Sequence, residues 1–183
     1  MRIIKLGCSL GMVSAVVYLA HVLIGQIMWP EYDPVSMDIS SLTAEGAPNA
    51  EIFRIFTAIY GISFVVFVLS LLWHSAKTNH KATTAGSVLM LVMALTSTIG
   101  YTLFPLTGNK AELSFQNLMH IVVTVLVVFT TIGALFLLAY GYLKNENIKW
   151  LGRLCLIFGI LILVFGSLNP ISIANNLGIL GVT

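Results

Sequence analysis

The chain has 183 residues, of which 58% are apolar and only 9% carry a formal charge, and its mean hydropathy is +0.97. A water-soluble domain carries about 25% charged residues, so a soluble enzyme, a disordered chain and a nucleic-acid-binding protein are all excluded. The net charge of +2 names no partner, and Cys8 and Cys155 lie inside apolar runs, in no disulfide framework or CxxC metal motif. This is the composition of a polytopic membrane protein.

A bilayer core of ~30 Å takes about 20 apolar residues in helix, with the backbone polar groups satisfied inside the segment. Five stretches qualify, at about 6–29, 52–73, 85–104, 118–143 and 150–168. The expected fold class is therefore all-α, a five-span helix bundle forming a single domain. In the first span Gly7, Gly11, Ser14, Tyr18, His21 and Gly25 share one narrow arc at about 100° per residue. Small residues let membrane helices approach closely, so this face, with its Gly7–Gly11 GxxxG pair and His21, is expected to meet protein rather than lipid.

Residues 30–51 follow, the richest segment of the chain. Asp33 before Pro34 makes an N-cap and first-turn pair. Val35, Ile39 and Leu42 then recur at helical spacing and Gly46 can terminate, which predicts a short amphipathic helix over about 34–45. Its other side carries Asp38, Ser41 and Glu45. Glu51 enters the first turn of the second span, where the helix dipole favours an acid. Arg54, Thr57 and Gly61 line one face of that span, and Phe53, Phe56, Tyr60, Phe64 and Phe67 are expected to face lipid or to pack. Ser87, Ala94, Thr98 and Tyr101 line the third span, which Pro105 ends. Asn117, His120, Thr124, Thr131 and Ala134 line the fourth, and Gly152, Gly159 and Gly166 recur at seven in the fifth. The Gly7–Gly11 and Gly152–Gly159–Gly166 faces are candidates for self-association or for a membrane-protein partner; membrane lipids are the other partner.

Lys and Arg favour cytoplasmic loops. Arg2, Lys5, Lys77, Lys81, Lys144, Lys149 and Arg153 fall on one side against the single acid Glu146. The other side holds Glu31, Asp33, Asp38, Glu45, Glu51 and Glu112 against Arg54 and Lys110. The expected topology in the cell membrane puts the N-terminus in the cytoplasm, with the 30–51 loop and the C-terminus outside. After the fifth span, Asn169 to Thr183 is apolar but broken by Gly and Asn and too short to cross.

The run Tyr32-Asp33-Pro34, then Asp38-Ile39-Ser40-Ser41-Leu42-Thr43-Ala44-Glu45-Gly46-Ala47-Pro48-Asn49, resembles the family called domain of unknown function 998, small integral membrane proteins of bacteria and archaea. Phe104-Pro105 closing the third span and His120 opening the fourth support the resemblance. It covers almost the whole chain and implies a fold and a membrane location, with no activity attached. It also implies six spans, so that the chain would be a six-span protein lacking its last helix; a short segment packed on the outer face is the alternative.

Ionisable groups at membrane depth are costly and point to function. His21, Arg54 and His120 lie within about two turns of the outer surface, by a rise of ~1.5 Å per residue, beneath Asp38 and Glu45 of the loop. One reading gathers them, with Asn117 and Tyr101, into an outward-facing polar pocket roofed by the loop. Such a pocket would serve a binding, accessory or lipid- and small-solute-handling module. In a hydrolase or transferase acting on a lipid at the outer leaflet, His120 would be the base, Asp38 the orienting acid and Ser41 (or Ser40) the nucleophile. Carboxylates with two imidazoles also have the donors of a Zn²⁺ site, but no HExxH or HxxxH spacing links the histidines, so neither a metal nor any other cofactor is assigned. The plainer alternative pairs Arg54 with Asp38, Glu45 or Glu51 and hydrogen-bonds His120 to a loop carbonyl. Both readings stay open.

Overall fold

The computed structural model describes residues 2–78, 80–107 and 114–174. Five long helices follow one another: α1 (Arg2–Met28), α2 (Ala50–Thr78), α3 (Lys81–Leu103), α4 (Phe115–Leu143) and α5 (Lys149–Ala174). All five are long and apolar enough to cross a membrane, and among the described residues there is no strand. Every expected span is present. The helices run a few residues beyond the apolar stretches because interfacial polar residues such as Glu51 and Lys77 prolong them. α5 likewise continues past the expected end at 168. Residues 175–183 lie outside the described residues, and with them the end of the tail and the question of a sixth helix.

The extensive contacts join helices that are neighbours in sequence: α1 with α2, α2 with α3, α3 with α4, α4 with α5. The helices thus stand in a row, and much of each apolar surface is exposed, as lipid-facing surface must be. Small residues set the closeness of this row. On α1, Gly7 lies against Ser70 and Gly11 against Phe67, both of α2, so this GxxxG pair serves a contact inside the chain. The aromatics of α2 form the other half of that seam: His21 stacks on Phe53 at 5.3 Å between ring centroids and meets Phe56 at 6.0 Å, and Tyr18 meets Tyr60 at 5.3 Å. Those aromatics therefore pack; the glycines and serine of α1 leave the space they fill.

Between α2 and α3, Gly61 receives Thr98. The α3–α4 contact is tighter still. Gly86 lies under Leu138 and the Ala134 carbonyl, Gly100 under Val123, Gly133 under Leu89, and Gly141 under Thr83. α5 packs on α4 through Gly152, which faces Ala139 and Leu143, and Gly159, which touches Leu135 and Phe136; Gly166 has nothing within 4 Å.

The two ends of the row differ in charge. Lys77, Lys81, Lys144, Lys149 and Arg153 gather at one end, where Lys77 sits 3.9 Å over the Trp73 ring and Lys149 pairs with Glu146. The other, acidic end carries Glu31, Asp33, Asp38, Glu45 and Glu51 on and beside the 29–49 loop. The expected 34–45 helix is shortened to a 3-10 helix, Ile39–Thr43. The cause is local. The Asp33 carboxylate accepts from the Val35 N–H (3.0 Å) and the Ser36 hydroxyl (2.8 Å), and its carbonyl accepts from the Met37 N–H (2.7 Å). This closes a separate turn, and Asp38 is extended (φ −67°, ψ 148°), which breaks the chain before Ile39. Val35, expected on the apolar face, is 73% exposed. Leu42 instead carries the loop down: it is fully buried against Gly25 of α1 and joins Tyr32 and Phe53 in a core beneath the loop.

Candidate functional site

At the acidic end, the first turns of α4 are spent on the chain that leaves α3. Ser114 caps α4 by accepting from the Asn117 N–H (3.2 Å). Gln116 donates to the Leu103 carbonyl (3.2 Å), and His120 contacts the Phe104 carbonyl oxygen through Nδ1 at 2.8 Å. These carbonyls are ones a helix C-terminus leaves without partners. A carbonyl only accepts, so His120 Nδ1 bears a proton, and in the neutral ring Nε2 is then the basic nitrogen.

Asn117, 1% exposed, grips Thr107 on both sides of its peptide. Its Oδ1 accepts from the Thr107 N–H (3.0 Å) and hydroxyl (3.2 Å), and its Nδ2 donates to the Thr107 carbonyl (3.0 Å). The adjoining Leu106 carbonyl accepts from the Glu45 N–H (2.8 Å), a single bridge that joins the two loops of this end. Glu45 thus enters through its main chain while its side chain stays exposed. Asn117, expected in the pocket, anchors the Thr107 segment.

Arg54 secures the same loop from α2. Its Nε and Nη2 donate to the Thr43 carbonyl (3.4 and 3.3 Å), and its Nη1 pairs with Glu51 at 2.6 Å. Both side chains of that pair are substantially exposed, and such a pair contributes at most about 1 kcal/mol. Both contacts of the plainer alternative, Arg54 to an acid and His120 to a loop carbonyl, are therefore present. Ser41 holds the 3-10 helix through its main chain: its N–H donates to the Asp38 carbonyl (3.0 Å) and its carbonyl accepts from Ala44 (3.3 Å).

Asp38 stands at the cap position of the 3-10 helix, yet its side chain makes no capping hydrogen bond. Its charge reaches Tyr32 and Tyr101 instead. Tyr101 lies ring to ring with His120 at 4.9 Å, and its hydroxyl donates to Thr124 (3.1 Å), whose own hydroxyl donates to the His120 carbonyl (2.9 Å). Asp38, Tyr101 and His120 therefore form one neighbourhood drawn from the loop, α3 and α4. Burial raises the Tyr32 phenol above its usual 10.0, with Tyr18, Asp38 and Asp33 adding smaller effects. The hydrogen bonds from Val35 and Ser36 hold exposed Asp33 below its usual 3.8.

His21 stands apart from that neighbourhood. It is 3% exposed between α1 and α2, and its Nε2 has no hydrogen-bond partner; the same is true of Ser14 Oγ, 1% exposed and two turns away on the same face. Among the described residues no group of three or more His, Cys, Asp or Glu side chains is placed to hold a metal ion. Residue-by-residue reading missed Thr107 and Gln116. Gln116 was findable, being polar in the first turn of an apolar span; Thr107 matters only through Asn117, across the end of α3.

A family model described as "Protein of unknown function (DUF998)" matches residues 12–182. The chain belongs to this family. No curated protein and no solved structure matches it. The match takes in α1 from residue 12 on and all of α2 to α5, so the loop ties at Asn117 and Arg54 and the Asp38–Tyr101–His120 neighbourhood lie within the DUF998 region.

Proposed function

We propose that this protein is a binding module of the cell membrane, handling a lipid headgroup or small solute at its acidic end. The N-terminus and the basic end would face the cytoplasm, as the distribution of Lys and Arg favours, and the 29–49 loop and the C-terminus the outside. One observation carries the reading. Asp38 of the loop bears its charge on Tyr101, which lies against His120. Half-buried Asp38 and Tyr101 with buried His120, drawn from three elements under a loop fastened by Arg54 and Asn117, would offer a small ligand polar groups of fixed orientation, the usual composition of such a site.

The test is the lipid and solute content of the chain purified in mild detergent, compared with Asp38→Asn and Tyr101→Phe. Loss of a retained species in both variants, with thermal unfolding unchanged, is the expected outcome. An identical bound complement in all three would refute the binding reading.

A second reading, a hydrolase or transferase acting on a lipid at the outer leaflet, has its own support. The Phe104 carbonyl fixes the His120 tautomer, as the orienting partner of a catalytic imidazole does. Ser41 would be the nucleophile and Asp38 the orienting acid. Turnover of a fluorogenic lipid ester that His120→Gln abolishes would favour it over simple binding.

A further inference from the structure

We propose that His80, Tyr140 and Lys144, at the basic end, hold the phosphate of an anionic phospholipid. The site stands at the opposite end of the row from the binding reading above and does not depend on it. Two helices build it. His80 caps α3, its Nδ1 accepting from the Ala82 N–H (3.2 Å). A ring nitrogen that accepts carries no proton, so in the neutral imidazole Nε2 bears one and is a donor. Lys144 closes α4 one turn after Tyr140. The Tyr140 ring brings the two together: it meets the His80 ring nearly at right angles at 5.8 Å between centroids, and the Lys144 ammonium lies over it at 5.2 Å. All three residues are exposed.

The donor set selects an anion. An ammonium, an imidazole N–H and a phenol O–H can all donate to one phosphodiester, and bonds from a cation to phosphate are the strong ones. Among the described residues no carboxylate pairs with Lys144; Glu146, the acid of this end, is held by Lys149. Lys77 is engaged elsewhere, over the Trp73 ring. The ammonium of a zwitterionic head would meet Lys144 as a like charge, so the head must be net negative. The same face of α4 makes the ligand a lipid. Phe129, Leu126 and Val122 continue the line of Lys144 and Tyr140 at helical spacing, and all three are exposed, Phe129 by 70%. This apolar stripe runs from the head into the hydrocarbon, where acyl chains cover it; a free phosphate would use none of it. The exposed Trp73 and Trp150 of this end mark the level of the headgroups, and basic sites between helices at that level take anionic heads.

The test is native mass spectrometry of the full chain in detergent, with phosphatidylglycerol and phosphatidylcholine of identical tails and inorganic phosphate as probes. Phosphatidylglycerol should be retained over phosphatidylcholine. Lys144→Gln should weaken it about fivefold, the scale of one lysine at a membrane surface. His80→Ser, which keeps a capping oxygen and loses the imidazole donor, should weaken it about threefold, the lower range for one hydrogen bond. Lys77→Gln removes the same charge from the same end and should leave retention unchanged. An equal loss there would show that the summed charge of the end attracts the lipid, and would overturn the site. Equal retention of the two lipids would overturn the anionic head, and displacement of phosphatidylglycerol by inorganic phosphate would overturn the lipid in favour of a free anion. Should a variant not fold, acylation of the lysines decides on the unaltered chain: phosphatidylglycerol should slow it at Lys144 more than at Lys77, and equal slowing would overturn the site.

Discussion

The α1–α2 and α3–α4 seams are both close contacts built on small residues, yet they treat their polar groups in opposite ways. In α3–α4 no buried side-chain nitrogen or oxygen among the described residues lacks a partner: Ser87 donates to the Thr83 carbonyl at 2.8 Å, Tyr101 to Thr124, and Thr131 to the Val127 carbonyl at 2.6 Å. In α1–α2, Ser14 Oγ and His21 Nε2 are buried without partners. A buried polar atom left in that condition costs about 1–3 kcal/mol. The first seam is a fully bonded spine. The second carries a cost that α3–α4 avoids.

The largest expected effect on this contrast comes from the spine. A Cβ at Gly141 would meet Thr83, with the Thr83 nitrogen at 2.8 Å. Gly141→Ala should destabilise by about 1–3 kcal/mol, read as the unfolding midpoint in mixed micelles, whereas Gly166→Ala, with open space around it, should leave the midpoint in place. A similar loss from both would show that α3–α4 is no tighter than the open face of α5.

Next in size is Asn117→Leu. It strips the Thr107 peptide of its N–H and C=O partners at once and should cost about 2–3 kcal/mol. Amide exchange should quicken at Thr107 and at Glu45, which hangs on the Leu106 carbonyl. Quickening at Thr107 alone would mean that the bridge between the loops does not depend on Asn117.

The smallest effect sharpens the comparison most, because the two seams should respond with opposite signs. Ser87→Ala removes a made hydrogen bond and should destabilise by about 0.6 kcal/mol, the usual scale within membranes. Ser14→Ala, measured without added ligand, removes an unsatisfied group and should be neutral or stabilising. Destabilisation by Ser14→Ala under those conditions would mean that the α1 hydroxyl is satisfied after all.

The spans were legible because hydrocarbon tolerates only long apolar helices, and the polar stripe of α1 was legible because Gly7, Gly11, Ser14, His21 and Gly25 repeat within a single helix. What the stripe faces was not. Phe53, Phe56, Tyr60, Phe64 and Phe67 read equally well as lipid-facing, since lipid and a glycine-lined neighbour both accept phenyl rings. The α3–α4 spine went unseen for a related reason: Gly86, Gly100, Gly133 and Gly141 are scattered over two helices, and each acquires meaning only against its opposite number. The loop helix was over-extended because the spacing of Val35, Ile39 and Leu42 outweighed the capacity of Asp33 to close its own turn. At the site, Arg54 and Glu51 were readable as neighbours three residues apart on one helix. The Asn117–Thr107 grip was not, because it depends on how α3 ends.

The serial order of the helices bears on how the protein is made. Each helix docks chiefly on the one synthesised just before it, so no span has to wait in the bilayer for a partner still inside the ribosome. Contacts between adjacent hairpins keep the chain separation of interacting residues short, which speeds assembly. The loop tie between Glu45 and Leu106 is the exception. It can form only once α3 has emerged, whereas the contacts of Leu42 with Gly25 and of Arg54 with the Thr43 carbonyl need α1 and α2 alone.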